Sequence, residues 1–308
     1  MKSLQQHLEE YLTIRRSLGY KLVSAEPLLR RFVAFLDQHG ATTVTTPLAV
    51  AWAQQPSKQS PYWHSKRLSI ARVFAKYLQA LDGSAEVPSV GLLPTPPCRA
   101  TPYLYSELDV RRLMSATKQM KHPLMAATYC TVIGLLFVTG MRIGEAIHLD
   151  REDRDWKDGL LVVRNGKFGK AREICLHPTT VEVLRVYESL RDQTIPMPKH
   201  PAFFISTAGT RLIYKNVQFI FGNLVRRIGL ARRSNRCRPR LHDIRHTFAV
   251  RTLTCWYAAD VDVQPRLPLL STYLGHVDPT STYWYLTATP ELVNLARQRL
   301  ERSLEKLP

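Results

Sequence analysis

At 308 residues and 45 % apolar content, the chain is long enough for one large domain or two ordinary ones, each with a real core. Forty-three Lys and Arg against 25 Asp and Glu give a formal charge of +18, which makes a polyanion the expected partner and nucleic acid the first candidate. The polar start MKSLQQHLEEYL lacks the layout of a signal peptide, and the longest apolar run, Ala126 to Val138, is shorter than the roughly 18 residues of a spanning helix, so export and membrane insertion are unsupported.

Residues 1–85 are expected to form a helical unit. Apolar residues at helical spacing, interrupted by Gly19, Gly40 and the starts Thr46-Pro47 and Ser60-Pro61, predict helices over about 3–18, 25–39, 47–55 and 61–81. The last carries Ile70, Phe74, Leu78 and Leu81 on one stripe with Lys66, Arg67, Arg72 and Lys76 around it, a core side and a basic side. From Asp82 to Pro102 five prolines and no periodicity mark stiff linker composition; the linker is set at 86–103 and a second domain at 104–308.

In the second domain, Ser106-x-x-Asp109 and Thr179-x-x-Glu182 read as capping boxes that open helices, and the apolar run before Thr139 as a buried helix. The segment GLLVVRNGKFGKAREICLHP alternates apolar and polar residues on either side of a glycine-punctuated turn, which predicts a β-hairpin with its tip at Asn165 to Lys170. A final helix, Pro290 to Leu307, carries Leu292, Ala296, Leu300 and Leu304 four apart. The fold class is therefore mainly α with a small β-sheet, α+β. Five scattered cysteines (Cys98, Cys130, Cys175, Cys237, Cys255) without a C-x-x-C pair point to a reducing cytoplasm.

Three stretches carry chemistry. In LFVTGMRIGEAIHLD a helix ends at Thr139-Gly140 and Arg142 opens the next beside Glu145; for a lone Arg, pairing with that Glu would be the ordinary reading. In RPRLHDIRHTFAV, His242 and Arg245 are three apart on one helix face, next to a buried stripe of Leu241, Ile244 and Phe248. His242 and His246, four apart, have the spacing of a zinc pair, but the Glu of H-E-x-x-H and a third ligand are missing. In YLGHVDPTSTYWYL, His276 follows Leu-Gly and Tyr285 comes nine residues later. The acidic run Asp150, Glu152, Asp153, Asp155 is too short to surround a pair of metals. The basic run Arg226 to Arg240 leads straight into the LHDIRH stretch, which favours phosphate contact over a merely solvated loop.

TGMRIGEA, a hairpin lysine, LHDIRH, LGH and a tyrosine nine residues on, in that order, resemble the tyrosine recombinase (phage integrase) family over residues 105 to 290, and the helical unit before them is similar to that family's core-binding domain. The resemblance implies a C-shaped clamp on DNA, a catalytic domain ending in a helix exchanged between subunits, and catalysis by Arg142, Lys167 (or Lys170), His242, Arg245, His276 and the nucleophile Tyr285, with His242 the expected base for the tyrosine proton and His276 hydrogen-bonding the phosphate. It implies no metal or other cofactor. DNA contacts are expected from Lys66, Arg67, Arg72, Lys76, Lys170, Arg232, Arg233, Arg236, Arg238 and Arg240. The partners implied are a double-stranded recombination site and a homo- or hetero-tetramer on it, in the cytoplasm at the bacterial nucleoid. The function implied is site-specific cutting and rejoining of strands through a 3′-phosphotyrosyl link, for integration, excision or transposition of a mobile element. A type IB topoisomerase and a non-catalytic DNA-binding regulator of the same fold are the alternatives.

Overall fold

The computed structural model describes residues 2–55, 59–95, 101–164, 171–276, 278–287 and 290–304. Contacts divide the chain into two units, residues 1–99 and 100–308. The first holds four helices, α1 (Leu4–Ser17), α2 (Glu26–Gln38), α3 (Thr46–Gln54) and α4 (Pro61–Asp82), each end within a residue of the expected one. Ser3 and Gln6 form a capping box on α1, and proline occupies the first turn of α2, α3 and α4, where its missing N–H costs nothing. Leu8, Leu12, Phe32, Leu36, Trp52, Leu68 and Phe74 close the core.

The inner face of α4 differs from the expected stripe. Arg67, Leu68, Ala71, Phe74, Ala75 and Leu78 are buried, whereas Leu81 is exposed. Arg67 is inside because its guanidinium lies 3.9 Å over the Trp52 ring and donates through Nη2 to the Trp52 carbonyl at 2.6 Å, closing the free end of α3. Arg72 donates to the carbonyls of Pro88 (2.6 Å) and Ser89 (2.9 Å). Of the four basic residues expected to face DNA on this helix, Lys66 and Lys76 are exposed, while Arg67 and Arg72 hold their own unit together.

The second unit runs α5 (Glu107–Thr117), α6 (Pro123–Thr139), α7 (Ile143–His148), β1 (Arg154–Asp155), β2 (Leu160–Val163), β3 (Arg172–Cys175), α8 (Pro178–Thr194), α9 (Tyr214–Arg227), α10 (Asp243–Ala258), α11 (Leu267–Leu274), α12 (Thr280–Tyr283), a 3-10 turn (Trp284–Thr287) and α13 (Pro290–Leu304). The strands form one antiparallel sheet, β1-β2-β3, with Leu160 opposite Cys175 and Val163 opposite Arg172. The hairpin tip with Lys167 and Lys170 lies outside the described residues. Ser106 and Asp109 make the expected capping box. The helix expected from Thr179 and Glu182 is instead capped by His177, whose ring accepts from the Thr179 N–H, because Pro178 at the first helical position sets the start earlier.

The apolar helix α6 is central, packed on α5, α8 and α10. Two clusters flank α10: a large one that takes its Ile244, and a smaller one of Ala249, Val250, Leu253, Leu267, Leu270, Leu274, Tyr285 and Leu292. The first turn of α10 therefore sits at a seam between two rigid bodies of side chains. Helix α13 packs on α10 of its own unit; of the expected stripe Leu292 is buried but Leu300 is 59 % exposed. No helix among the described residues is long and apolar enough to cross a membrane.

Candidate active site

Two turns and one helix start bring the site together. Helix α6 stops at Gly140 (φ +62°), where an added Cβ would meet Phe248 Cδ1 at 2.3 Å, so only glycine lets the chain reverse and present Arg142 at the N-cap of α7. Helix α11 stops at Gly275 (φ +67°), where a Cβ would meet Arg172 Nη1 at 2.8 Å and Arg142 Nη1 at 3.4 Å. Glycine is what allows guanidinium groups this close to the turn that carries His276.

Glu145 organises the guanidiniums. Its carboxylate accepts from Arg142 N (2.7 Å) and Nη1 (2.8 Å) and, in a two-pronged bond, from Arg172 Nη1 (3.0 Å) and Nη2 (2.7 Å). Burial alone would raise its pKa, but Arg172 and then Arg142 overcome this and hold it at about 2. Arg172 also donates to the Tyr273 carbonyl (2.9 Å), tying β3 to the end of α11. Arg142 Nη2 donates to the Gly275 carbonyl (2.9 Å), while Arg245, 2 % exposed, donates to the carbonyls of Gly140 (2.9 Å) and Leu274. Arg142 and Arg245 thus converge on the same turn from two elements. Desolvation, then the charge of Arg142, lowers the Arg245 pKa to about 10, which leaves it protonated at neutral pH.

His242 and His276 are neutral there. The His242 residue is exposed as a whole, yet desolvation of its imidazole and then the charges of Arg245, Arg142 and Arg240 push its pKa down to about 4. Desolvation, then Arg245 and Arg142, likewise lower His276 to about 4, and its Nδ1 lies 2.7 Å from the buried Thr282 hydroxyl. The Tyr285 ring stacks on His276 (centroids 6.0 Å, planes 22° apart) and its hydroxyl lies 3.1 Å from Nδ1 of His246. Tyr285 is 2 % exposed, whereas Tyr283 is 50 % exposed and Tyr273 stacks on Phe248.

Five of the six expected catalytic residues, Arg142, His242, Arg245, His276 and Tyr285, therefore gather around the turn after α11 and the first turns of α10 in a single chain; Lys167 lies outside the described residues. Reading the sequence missed two neighbours. Arg172 was only a polar position in the hairpin alternation, and His246 was weighed only as half of a zinc pair. The signal for His246 was its place directly after Arg245 and one turn below His242. Of the expected DNA contacts, Arg232, Arg233, Arg236 and Arg238 are exposed. Arg240 instead makes two side-chain bonds to the buried Asp243 (3.0 and 2.7 Å), supplying the countercharge that a buried carboxylate needs. In the acidic run, Asp150 pairs with Arg211 and Asp153 with Arg164.

The fold is one shared by DNA strand transferases of the tyrosine recombinase class. The Tn1549 transposon integrase, solved with circular intermediate DNA, superposes with a TM-score of 0.66 over 96 % of this chain and 99 % of that one, at 18 % identity. The XerA recombinase gives 0.52 over 98 % of both chains, at 21 % identity. In sequence, the y4rB protein of Sinorhizobium fredii, an integrase/recombinase by name, is 44 % identical over 99 % of both chains. The tyrosine recombinase XerC of Azotobacter vinelandii is 28 % identical over 72 % of this chain and 70 % of its own. The phage integrase family model matches residues 104–291, and the chain belongs to that family.

Proposed function

We propose that this enzyme is a site-specific DNA recombinase in which Tyr285 attacks the scissile phosphate and holds the cut strand as a 3′-phosphotyrosyl link. The observation that carries the reading is the seat of Tyr285 in the same chain, its ring stacked on His276 directly after the turn whose Leu274 and Gly275 carbonyls Arg245 and Arg142 hold. A phosphodiester resists attack because its oxygens are negative and its leaving alkoxide is poor. Arg142 and Arg245, now bonded to main-chain carbonyls, are the proposed clamp: a phosphate offers stronger acceptors to the same guanidinium forks and gains most as charge grows on five-coordinate phosphorus. His242 and His276, neutral at pH 7, are the proposed hydrogen-bond partners of the phosphate oxygens. Lys167 is the proposed donor of a proton to the leaving 5′-oxygen, with Lys170 its nearest competitor.

The substrate is duplex DNA, supported by the +18 charge and by the exposed Arg232, Arg233, Arg236 and Arg238 in the run that leads into α10. Residues 1–85 are the proposed core-binding domain, 86–103 the linker and 104–308 the catalytic domain. A tetramer on paired sites is the proposed assembly, with α13 leaving its own α10 to bridge neighbours. Integration or excision of a mobile element is the proposed role, on the strength of the integrase/recombinase relatives and the transposon integrase likeness.

The test is covalent trapping on a nicked suicide duplex. Tyr285→Phe is expected to abolish the protein–DNA adduct, and Tyr283→Phe to leave it. Equal loss in both variants overturns the assignment, and relaxation of any supercoiled plasmid without a specific site transfers the reading to a topoisomerase.

A further inference from the structure

We propose that His246 is the group that takes the proton from the Tyr285 nucleophile. This deepens the reading of Tyr285 above and rests on it, but gives the base role expected of His242 from the sequence to a neighbour that reading leaves without one. The Nδ1 atom of His246 lies 3.1 Å from the Tyr285 hydroxyl, within the reach required of a general base. The phenol is 2 % exposed, so bulk water has little access to its proton. The imidazole is also fixed in aim. The Trp284 ring meets it edge-on at 5.4 Å, the His242 ring at 4.9 Å with planes 87° apart, and the Tyr285 ring at 5.4 Å. Because Trp284 and Tyr285 are adjacent on one 3-10 turn, any shift of that turn carries the phenol and one wall of the imidazole's seat together.

The charged and titratable groups around the pair are His242 and Arg245 from the start of α10, His276 stacked on the far side of the phenol, and Tyr285 itself. His242, an exposed residue, lies in the field of the Arg245, Arg142 and Arg240 guanidiniums, a setting suited to an incoming phosphate. His246 is the histidine at hydrogen-bond distance from the phenol oxygen.

The step balances as follows. Neutral His246, with Nδ1 unprotonated, accepts the phenol proton and becomes imidazolium. The phenolate oxygen bonds to phosphorus while the P–O5′ bond breaks and the 5′-oxygen takes a proton from Lys167. In the return direction a 5′-hydroxyl gives its proton to that lysine and attacks phosphorus, and the departing Tyr285 oxygen recovers its proton from His246. Both groups end as they began.

Single-turnover cleavage of suicide duplexes tests this, one with the natural 5′-oxygen and one with a bridging 5′-sulfur, whose thiolate leaves without a proton. His246→Ala and His246→Asn are both expected to slow adduct formation by roughly 10²–10⁴ on both substrates, since an amide can accept a hydrogen bond but cannot keep a proton. Both should also lose the acid limb of the wild-type pH–rate profile, with DNA affinity kept. Lys167→Ala should recover on the sulfur substrate. Should the alanine variant not fold, His246→Gln carries the same comparison. A rate within about threefold of wild type for His246→Asn makes the residue merely structural and overturns the proposal. So does an acid limb that vanishes in His242→Ala but survives in the His246 variants. If Tyr285→Phe still forms the adduct, the nucleophile assignment has failed instead, and that outcome is distinct from both.

Discussion

Exchange of Glu145 for Gln isolates the carboxylate that organises the two guanidiniums. Glutamine is close in shape to protonated glutamate, so the variant mimics the neutral acid and its cost can be read from the pKa. The side chain is 6 % exposed and its pKa is held at about 2 against an ordinary 4.5. That gap corresponds to about 3 kcal/mol at pH 7, near the range for breaking a buried pair and leaving Arg172 uncompensated. The sign follows from the direction: a depressed carboxylate pKa stabilises above the unfolded value and is lost as pH falls through the folded one. The difference between wild type and Glu145→Gln should therefore be full at pH 7 and shrink to about half by pH 3. In a unit of this size it should appear as a melting temperature lower by ~10 °C. Urea unfolding at pH 7, 5, 4 and 3 measures it. A loss under 1 kcal/mol at pH 7 would refute the reasoning, as would a difference that does not change with pH.

Gly140→Ala should destabilise by more than the roughly 1–2 kcal/mol of a left-handed non-glycine residue, because the new Cβ also meets Phe248, and thermal melting checks it. His242 and His276 have folded pKa values of about 4, below the ordinary 6.5, so the unfolded chain binds more protons between those values. Stability should fall as pH drops from about 6.5 to about 4 and then level off as far as these two groups are concerned, and His276→Gln should flatten that slope in urea midpoints. Binding to duplex DNA should weaken steeply with salt, and Arg236→Gln and Arg238→Gln should each reduce the log–log slope by about 1.

The residues that make periodic elements were plain in the sequence, and those that make the pocket were plain only in part. The four helices of the first unit follow from Gly and Pro punctuation because those residues act locally on the backbone. The charge of Arg67 points to an outward place, although 67, 71, 74 and 78 share one helical face; what draws it in is the Trp52 ring and carbonyl, a contact across fifteen residues. Thr179 was given a cap that Pro178 moves to His177. The grouping of Arg142, Arg245, His276 and Tyr285 came from motif order, but the part of Arg172 depends on a bond to a glutamate 27 residues away, which no local pattern encodes. His246 was visible only as a repeat of histidine at one helical turn, and its meaning comes from Tyr285, 39 residues on.

The central claim is that the Tyr285 oxygen itself becomes bonded to the DNA strand. Proteolysis of the trapped protein–DNA adduct, followed by mass spectrometry of the peptides, locates that bond. The account predicts a nucleotide joined through its 3′-phosphate to Tyr285. A nucleotide on Tyr283 or Tyr273, or one held through its 5′-phosphate, would contradict it.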